Sequence, residues 1–170
     1  LTSKKNAPKN LDIEEIYPAP VFRMICPIGK LRKWAAYLDK YLIFPKRLKR
    51  ELIRRKDSPH LIHIIDHSNA IYLTQLKRIT GAKKIITCHD LIAIRTAKGE
   101  FAQAPKTSKS GKRLQNWISG SLNNADYYAC DSRQTQEDLN RLIPLSKGKS
   151  STIHLGTEPD SSSISEKKDL

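Results

Sequence analysis

The stretch Lys83-Lys-Ile-Ile-Thr-Cys-His-Asp-Leu-Ile92 decides the fold of this chain. A short apolar run of this kind is typical of a buried strand, and it leads directly into a His-Asp pair. The stretch Leu61-Ile-His-Ile-Ile-Asp-His-Ser68 repeats the arrangement upstream. Because the carboxyl ends of parallel strands form the ligand crevice of an open α/β sheet, we expect four polar side chains to face one cleft. These side chains are Asp66, His67, His89 and Asp90.

Apolar periodicity predicts a regular alternation of strands and helices after residue 59. The predicted strands cover residues 60–66, 83–89, 125–130 and 151–155, and the predicted helices cover 69–79, 112–122 and 133–143. This alternation indicates an α/β fold with a Rossmann-like, doubly wound parallel sheet. Gly81 is expected to end the first helix in the left-handed conformation, and Ser132 is expected to cap the last one.

The sequence before residue 60 has a less regular pattern. Val21–Cys26 is a candidate strand between two proline-containing segments, and Leu31–Leu42 has the spacing of one helix face. Pro45 is expected to break or kink that helix, which restarts over Lys46–Lys56.

The length of 170 residues fits a single domain, with residues 1–17 and 161–170 as flexible polar tails and residues 18–160 between them. No apolar run approaches the ~20 residues that a membrane span needs. The chain begins with neither an initiator Met nor a signal peptide, so we expect a fragment or a trimmed product. The three cysteines, Cys26, Cys88 and Cys130, lack metal-type spacing, which predicts buried free thiols in the cytoplasm and no metal site.

Positive charge is concentrated in one segment of the chain. The net charge is +14, and residues 30–56 hold eleven Lys and Arg against two acidic residues. Such a field favours an anionic partner, and aromatic residues just before it favour a membrane surface over nucleic acid, since no nucleic-acid recognition motif occurs. A plain solvated helix face is the alternative. The candidate anion-binding residues are Lys46, Arg47, Lys49, Arg50, Arg54, Arg55 and Lys56.

The histidines at the strand ends have two interpretations each. His89 at the crevice suits hydrogen bonding to a sugar hydroxyl or a reaction-centre oxygen, and the alternative is a plain strand end with Asp90 capping a turn. His67 is expected to be exposed and His63 to lie in the interior. Ser68 is expected either to contact a ligand or, with Asn69 as the other candidate, to cap the following helix. The connection over residues 93–111 is interpreted as a flap over the site or as disorder.

Several enzyme classes lack their sequence signatures in this chain. The sequence contains no G-x-S-x-G nucleophile elbow, no P-loop and no G-x-G-x-x-G motif. These absences leave hydrolysis by a serine nucleophile and nucleotide binding by a glycine-rich loop without support.

Four segments together resemble the N-terminal domain of GT-B-fold glycosyltransferases, the family 4-like group. They are Leu61–Ser68, Ile85–Leu91, Ala125–Leu139 and Ile153–Glu158. The segments span about residues 59–159, and their order and spacing are more specific than any one of them alone. The resemblance implies an acceptor-binding, Rossmann-like half of an enzyme whose other half binds a nucleotide-activated sugar.

The resemblance also implies roles for individual residues. His89 would lie near the transferred sugar as the catalytic residue, and the substrate-binding candidates are Asp66, His67, Ser68, Asp90, Arg95 and Ser132. Transfer would retain anomeric configuration without a metal or other cofactor, the nucleotide-sugar serving as cosubstrate. The acceptor would be a glycan or a lipid-linked molecule, as in polysaccharide biosynthesis, with the basic helix docked peripherally on the inner face of the membrane.

Two departures from the family pattern affect this interpretation. The first strand with its Gly-rich loop is either absent or begins before Leu1. The donor-binding domain with its paired glutamates is absent, so the chain is expected to be inactive alone. The alternative is a non-catalytic basic α/β module that binds a membrane surface or a partner protein.

Overall fold

The computed structural model describes residues 12–18, 21–25, 29–54, 59–79 and 81–154. The chain divides into two compact units, residues 1–58 with 78–80 and residues 59–77 with 81–170. The first, which we call the helical unit, contains the helices before residue 55. The second, the sheet unit, contains the parallel sheet. The predicted tail over residues 161–170 lies outside the described ranges.

In the helical unit, the first described helix lies where the sequence predicted a strand. Helix α1 spans Phe22–Ile25, so the strand predicted over residues 21–26 is wrong. The carboxylate of Asp39 accepts a 2.9 Å hydrogen bond from the backbone N–H of Phe22, which gives the first residue of α1 a partner. Periodicity does not distinguish strand from helix in so short and mostly apolar a segment, and the local pattern does not show the distant carboxylate.

Pro45 changes the helix geometry without interrupting the helix. Helix α2 (Gly29–Leu38), a π turn (Asp39–Ile43) and helix α3 (Phe44–Arg54) follow one another without a loop. A proline has no N–H, and its ring clashes with the carbonyl four residues earlier, which belongs to Tyr41. The wider π turn accommodates this clash, so the predicted break is instead a local change of helix type.

The sheet unit contains four parallel strands in sequential order. They are β1 (Leu61–Ile64), β2 (Lys83–Cys88), β3 (Tyr127–Cys130) and β4 (Ser150–Thr152). Four helices accompany them, namely α4 (Ile71–Ile79), α5 (Ile92–Ala97), α6 (Lys109–Leu122) and α7 (Arg133–Leu142). The predicted α/β class and Rossmann-like parallel sheet are confirmed.

Side-chain burial alternates along the strands, so one face of the sheet is covered more than the other. Ile86, Cys88, Tyr128 and Cys130 are almost fully buried on the covered face. The two thiols are free and buried, as predicted, and Cys26 lies outside the described residues.

His63 lies on the more exposed face, which contradicts its predicted place in the interior. The β1 residues on either side of it turn toward the covered face, with Ile64 buried. Its Nε2 lies 2.8 Å from Oγ1 of Thr87 on the neighbouring strand. The prediction was wrong because the apolar run suggested burial on both faces.

The connection after β2 contains more regular structure than predicted. Helix α5 occupies its first residues, α6 begins at Lys109, and only residues 98–108 lie between them. Gly99, with φ +81°, lies just after the end of α5. Its N–H donates a 3.0 Å hydrogen bond to the backbone oxygen of Thr96. Gly81 is not among the glycines with positive φ, so the predicted left-handed cap there is wrong. The left-handed cap instead belongs to α5, which the polar composition concealed.

Candidate functional site

The carboxyl ends of β1, β2 and β3 bring six residues to one edge of the sheet. We call this group the strand-end cluster, and it consists of Ile65, Asp66, His89, Asp90, Asp131 and Ser132. Strand register sets its arrangement, since Cys88 pairs with Cys130 and the following residues, His89 and Asp131, are therefore neighbours. As predicted, the two His-containing strand ends lie on adjacent parallel strands.

His89 joins the ends of two other strands through its ring. Its Nδ1 lies 2.6 Å from Oδ2 of Asp131, and its Nε2 lies 2.8 Å from the carbonyl oxygen of Ile65. A carbonyl and a carboxylate only accept hydrogen bonds, so satisfying both requires a proton on each ring nitrogen. The geometry therefore favours the imidazolium form, with 47% of the side chain still exposed.

The electrostatic environment agrees with this geometry. The hydrogen bond to Asp131 raises the pKa of His89 above its usual value, assisted by the Ile65 carbonyl and the charges of Asp131 and Asp66, and it outweighs the opposing effect of partial burial. His89 is consequently cationic over more of the neutral pH range than a free histidine.

The segment after β1 is folded back by Asp66 rather than by Ser68. The Asp66 carboxylate accepts hydrogen bonds from the backbone N–H of Ser68 at 2.7 Å and from its hydroxyl at 3.0 Å. These bonds begin a 3-10 turn over His67–Asn69, so the expectation that Ser68 or Asn69 caps the helix is wrong.

His67 is buried, which contradicts the prediction that it is exposed. The residue is 9% exposed, and its Nδ1 lies 3.5 Å from Oδ1 of Asp66. The prediction assumed that the alternation of β1 continues as far as His67. The chain instead turns after β1, and the turn places this ring on the opposite side. Of the two predicted histidines, only His89 presents an exposed ring at the edge.

Asp90 and Ser132 begin the helices that follow their strands. The Asp90 carboxylate accepts a 3.0 Å bond from the N–H of Ile92 at the start of α5. The Ser132 hydroxyl accepts a 3.1 Å bond from the N–H of Thr135, which confirms the predicted cap of α7. Thr135 in turn donates from Oγ1 to the backbone oxygen of His89 at 3.2 Å, which fixes α7 against the strand end.

Arg95, predicted to bind substrate, is held by protein carboxylates. Its Nε donates to Glu100 at 2.8 Å and its Nη1 to Asp138 at 2.7 Å, and its guanidinium stacks 4.7 Å from the ring centre of Phe101. Arg141 donates to the same two carboxylates. We call Arg95, Glu100, Asp138 and Arg141 the ionic network. The two arginines, Arg141 first, lower the pKa of Glu100 to about 2.

Comparison with known proteins identifies the family. The family model described as Glycosyltransferase Family 4 matches residues 9–161. The chain belongs to glycosyltransferase family 4. No curated protein and no solved structure matches it. The resemblance found in the four sequence segments is thus confirmed, together with a glycosyltransferase-type function.

Asp131 is the residue of this family 4 domain that sequence reasoning missed. It directly follows an apolar strand, as Asp66 and His89 do, so the same criterion would have found it. The family resemblance points instead to the next residue, Ser132, whose spacing also predicts a helix cap. The contact with His89 joins residues 42 positions apart and depends on the pairing of β2 with β3.

The basic residues of the family 4 domain are exposed on α3. Lys46, Arg47 and Arg50 line a surface pocket of about 260 Å³ together with Ile43 from the π turn. None of these three cations has a hydrogen bond or ion pair to another residue in the part of the chain that the structure describes. Lys49 and Arg54 are also exposed on α3, and Arg55 and Lys56 lie outside the described residues.

Within the described ranges, no three His, Cys, Asp or Glu side chains come together as a metal-binding group. No helix there combines the length and the apolar character needed to cross a membrane.

Proposed function

We propose that this family 4 domain forms the acceptor side of a sugar-transfer site and acts with a donor-binding domain that holds a nucleotide-sugar. The acceptor is a glycan or a lipid-linked molecule, transfer retains anomeric configuration without a metal, and the domain alone is inactive. The observation that carries the proposal is His89, an exposed ring with two hydrogen-bond acceptors at the carboxyl edge of a parallel sheet. That edge is where open α/β sheets bind ligands.

The chemistry of His89 suits charge stabilisation better than proton abstraction. An imidazolium has no lone pair with which to accept a proton, but it offers an N–H and a positive charge. In transfer from a nucleotide-sugar, negative charge develops on the departing phosphate, and a fixed cation nearby lowers the free energy of that transition state. The same N–H suits a sugar hydroxyl in the ground state.

Replacing His89 tests the proposal in the complete enzyme. We expect His89→Ala to reduce transfer at least 100-fold, because one positioned charge donor contributes roughly that factor. His60→Ala is the matched control, since His60 is an exposed histidine of the same unit. Its backbone oxygen accepts a hydrogen bond from the N–H of Lys83, and alanine retains that bond. Circular dichroism verifies that both variants fold. Full activity of His89→Ala would refute the assignment.

The coding sequence after residue 170 provides an independent check. A downstream Rossmann-like domain with a Glu-x7-Glu motif would support the enzyme. If none is encoded there, the non-catalytic basic module becomes the better interpretation.

The unpaired cations of α3 favour a second role, docking on an anionic membrane surface at the cytoplasmic face. Each Lys or Arg near such a surface contributes about 1 kcal/mol to binding. We expect the triple variant Lys46→Gln, Arg47→Gln, Arg50→Gln to be released from vesicles that contain phosphatidylglycerol. The triple variant Lys109→Gln, Lys112→Gln, Arg113→Gln removes the same charge from α6 and should stay bound. Equal sedimentation of both variants would contradict a specific role for α3.

A further inference from the structure

We propose that Asp131 is the positioning residue of His89: its carboxylate anchors Nδ1, so that Nε2 is the nitrogen that His89 presents to substrate. This inference rests on the proposed function in taking His89 as the group that contacts substrate. The anchoring itself is a property of this chain and can be measured without any transfer reaction.

The two hydrogen bonds of His89 differ in strength. The bond to Asp131 joins a cation to a carboxylate at 2.6 Å, whereas the bond to Ile65 joins it to a neutral backbone carbonyl at 2.8 Å. The ionised ring strengthens both bonds, but only the bond to Asp131 also joins opposite charges and gains their Coulombic attraction. An incoming substrate oxygen therefore displaces the Ile65 carbonyl from Nε2 and leaves the Asp131 bond in place.

The Asp131 side chain is less exposed than the His89 ring that it holds. Its side chain is 19% exposed, compared with 47% for His89. The next residue, Ser132, caps α7, and Thr135 of that helix bonds the backbone oxygen of His89. The start of α7 thus lies next to Asp131 in the chain and also bonds the backbone of His89. The His89 ring remains accessible from solvent.

The tautomer of the neutral ring follows from the same contacts. When the imidazolium loses one proton, keeping it on Nε2 would leave the Nδ1 lone pair facing the Asp131 carboxylate. Keeping the proton on Nδ1 leaves the Nε2 lone pair facing only the neutral carbonyl of Ile65, which is less repulsive. Neutral His89 is therefore the Nδ1–H form, and its Nε2 separates from Ile65. Free histidine prefers the opposite, Nε2–H form.

Other charged groups near His89 do not provide this anchoring. Asp66, at the end of β1, contributes a charge but bonds Ser68. Asp90 follows His89 in the chain, and its carboxylate accepts from Ile92 at the start of α5. Asp131, at the end of β3, is the carboxylate that contacts the ring.

Nitrogen NMR of this chain across a pH titration tests the proposal. In the wild type we expect a raised His89 pKa and, at alkaline pH, ¹⁵N shifts of the Nδ1–H tautomer. In Asp131→Asn the pKa should fall toward that of an unperturbed histidine, and the Nδ1–H preference should be lost. Glu137→Gln removes the same charge from an exposed position of α7 and should change neither.

Two further measurements keep each outcome interpretable. Asp131→Glu retains the charge and should keep the raised pKa, which covers the case in which Asp131→Asn does not fold. In the complete enzyme, Asp131→Asn should lower kcat about tenfold with little change in KM, and its activity should decline at a lower pH than in wild type.

The failure of this inference can be distinguished from the failure of the proposed function. A folded Asp131→Asn with an unchanged His89 pKa and tautomer would overturn the positioning role, whatever the enzyme does. A complete protein without transferase activity, combined with the expected NMR result, would refute the proposed function and leave the anchoring intact.

Discussion

Cations in the sheet unit and cations on α3 are arranged in opposite ways. Lys84 is 7% exposed, and its Nζ contacts both the Asp126 carboxylate at 3.1 Å and the Ala82 carbonyl at 2.8 Å. Arg95 has two carboxylates and an aromatic ring around it. On α3, by contrast, Lys46 and its neighbours share a pocket without any carboxylate partner among the described residues.

The difference separates charges that hold the fold from charges that are available to a partner. Removing one member of a half-buried ion pair leaves the other member desolvated and uncompensated, so the folded state loses stability. Removing one cation from a like-charged group on a helix surface relieves repulsion instead. The sign of the stability change therefore tests which kind of charge a residue carries.

The largest expected effect is at Arg95. We expect Arg95→Met to lower the free energy of unfolding by about 3 kcal/mol, because Glu100 and the largely buried Asp138 each lose a partner. Urea denaturation measures the loss. Arg133→Met makes the same chemical change at an exposed position of α7 and should cost less than about 0.5 kcal/mol. Equal losses in the two variants would contradict a structural role for the ionic network.

The next effect is at the Lys84–Asp126 pair. Asp126→Ala should lower the free energy of unfolding by about 2 kcal/mol, because Lys84 stays buried without the carboxylate that pairs with it. The loss is smaller than at Arg95 because the Asp126 side chain is partly exposed. Asp126→Asn keeps an oxygen that can accept from the Lys84 backbone N–H, so its loss should be smaller. If the asparagine variant were the less stable of the two, the pair would not act as described.

Acid should weaken the sheet unit through Glu100 and Asp126. Both carboxyls have lowered pKa values. The pKa of Glu100 is about 2. Burial opposes the lowering at Asp126, but the hydrogen bonds from Lys84 and the charges of Lys84 and Lys83 together outweigh it. Each therefore stabilises the fold above its unfolded-state pKa, and this contribution is lost as pH falls toward the folded-state value. Between pH 4.5 and pH 2, we expect Glu100→Gln to lose about 1 kcal/mol less stability than wild type. A parallel decline of the two proteins would contradict this expectation.

The smallest effect, and the one of opposite sign, is on α3. Lys46→Gln with Arg50→Gln removes a like-charged pair four residues apart and should stabilise the chain by about 0.2–0.5 kcal/mol at low salt. At high salt the gain should vanish, because the repulsion in the wild type is screened. A clear loss of stability would show that these cations have structural partners and would remove the contrast with the sheet unit.

Much of the fold could be predicted because it depends on local patterns. The apolar runs before Asp66 and His89 located two strands, and the Ser132 spacing located the start of α7. In each case, the sequence pattern and the strand or helix start that it predicts lie within the same few residues. The helix α5 was missed because its polar and short apolar residues lack a clear helical stripe.

The candidate site was harder to predict because it depends on contacts between distant residues. His89 to Asp131 and Lys84 to Asp126 each span 42 positions, and both follow from the pairing of β2 with β3. Local alternation also gave wrong predictions around the turn after β1. It predicted His63 in the interior and His67 exposed, whereas His67 is buried and His63 lies on the more exposed face. Sequence therefore identified which strand ends matter, and the register decided which side chains meet there.

The paired thiols of Cys88 and Cys130 lie one residue before His89 and Asp131, on directly opposed positions of β2 and β3. Both are free and buried, and the pKa of the Cys88 thiol is raised, first through its contact with Cys130 and then through burial. Both thiols lie on the covered face of the sheet, so a thiol reagent can reach them only when that part of the sheet unit opens locally. The rate of their labelling thus reports, without any introduced probe, how often the carboxyl edge of the sheet opens beneath the site.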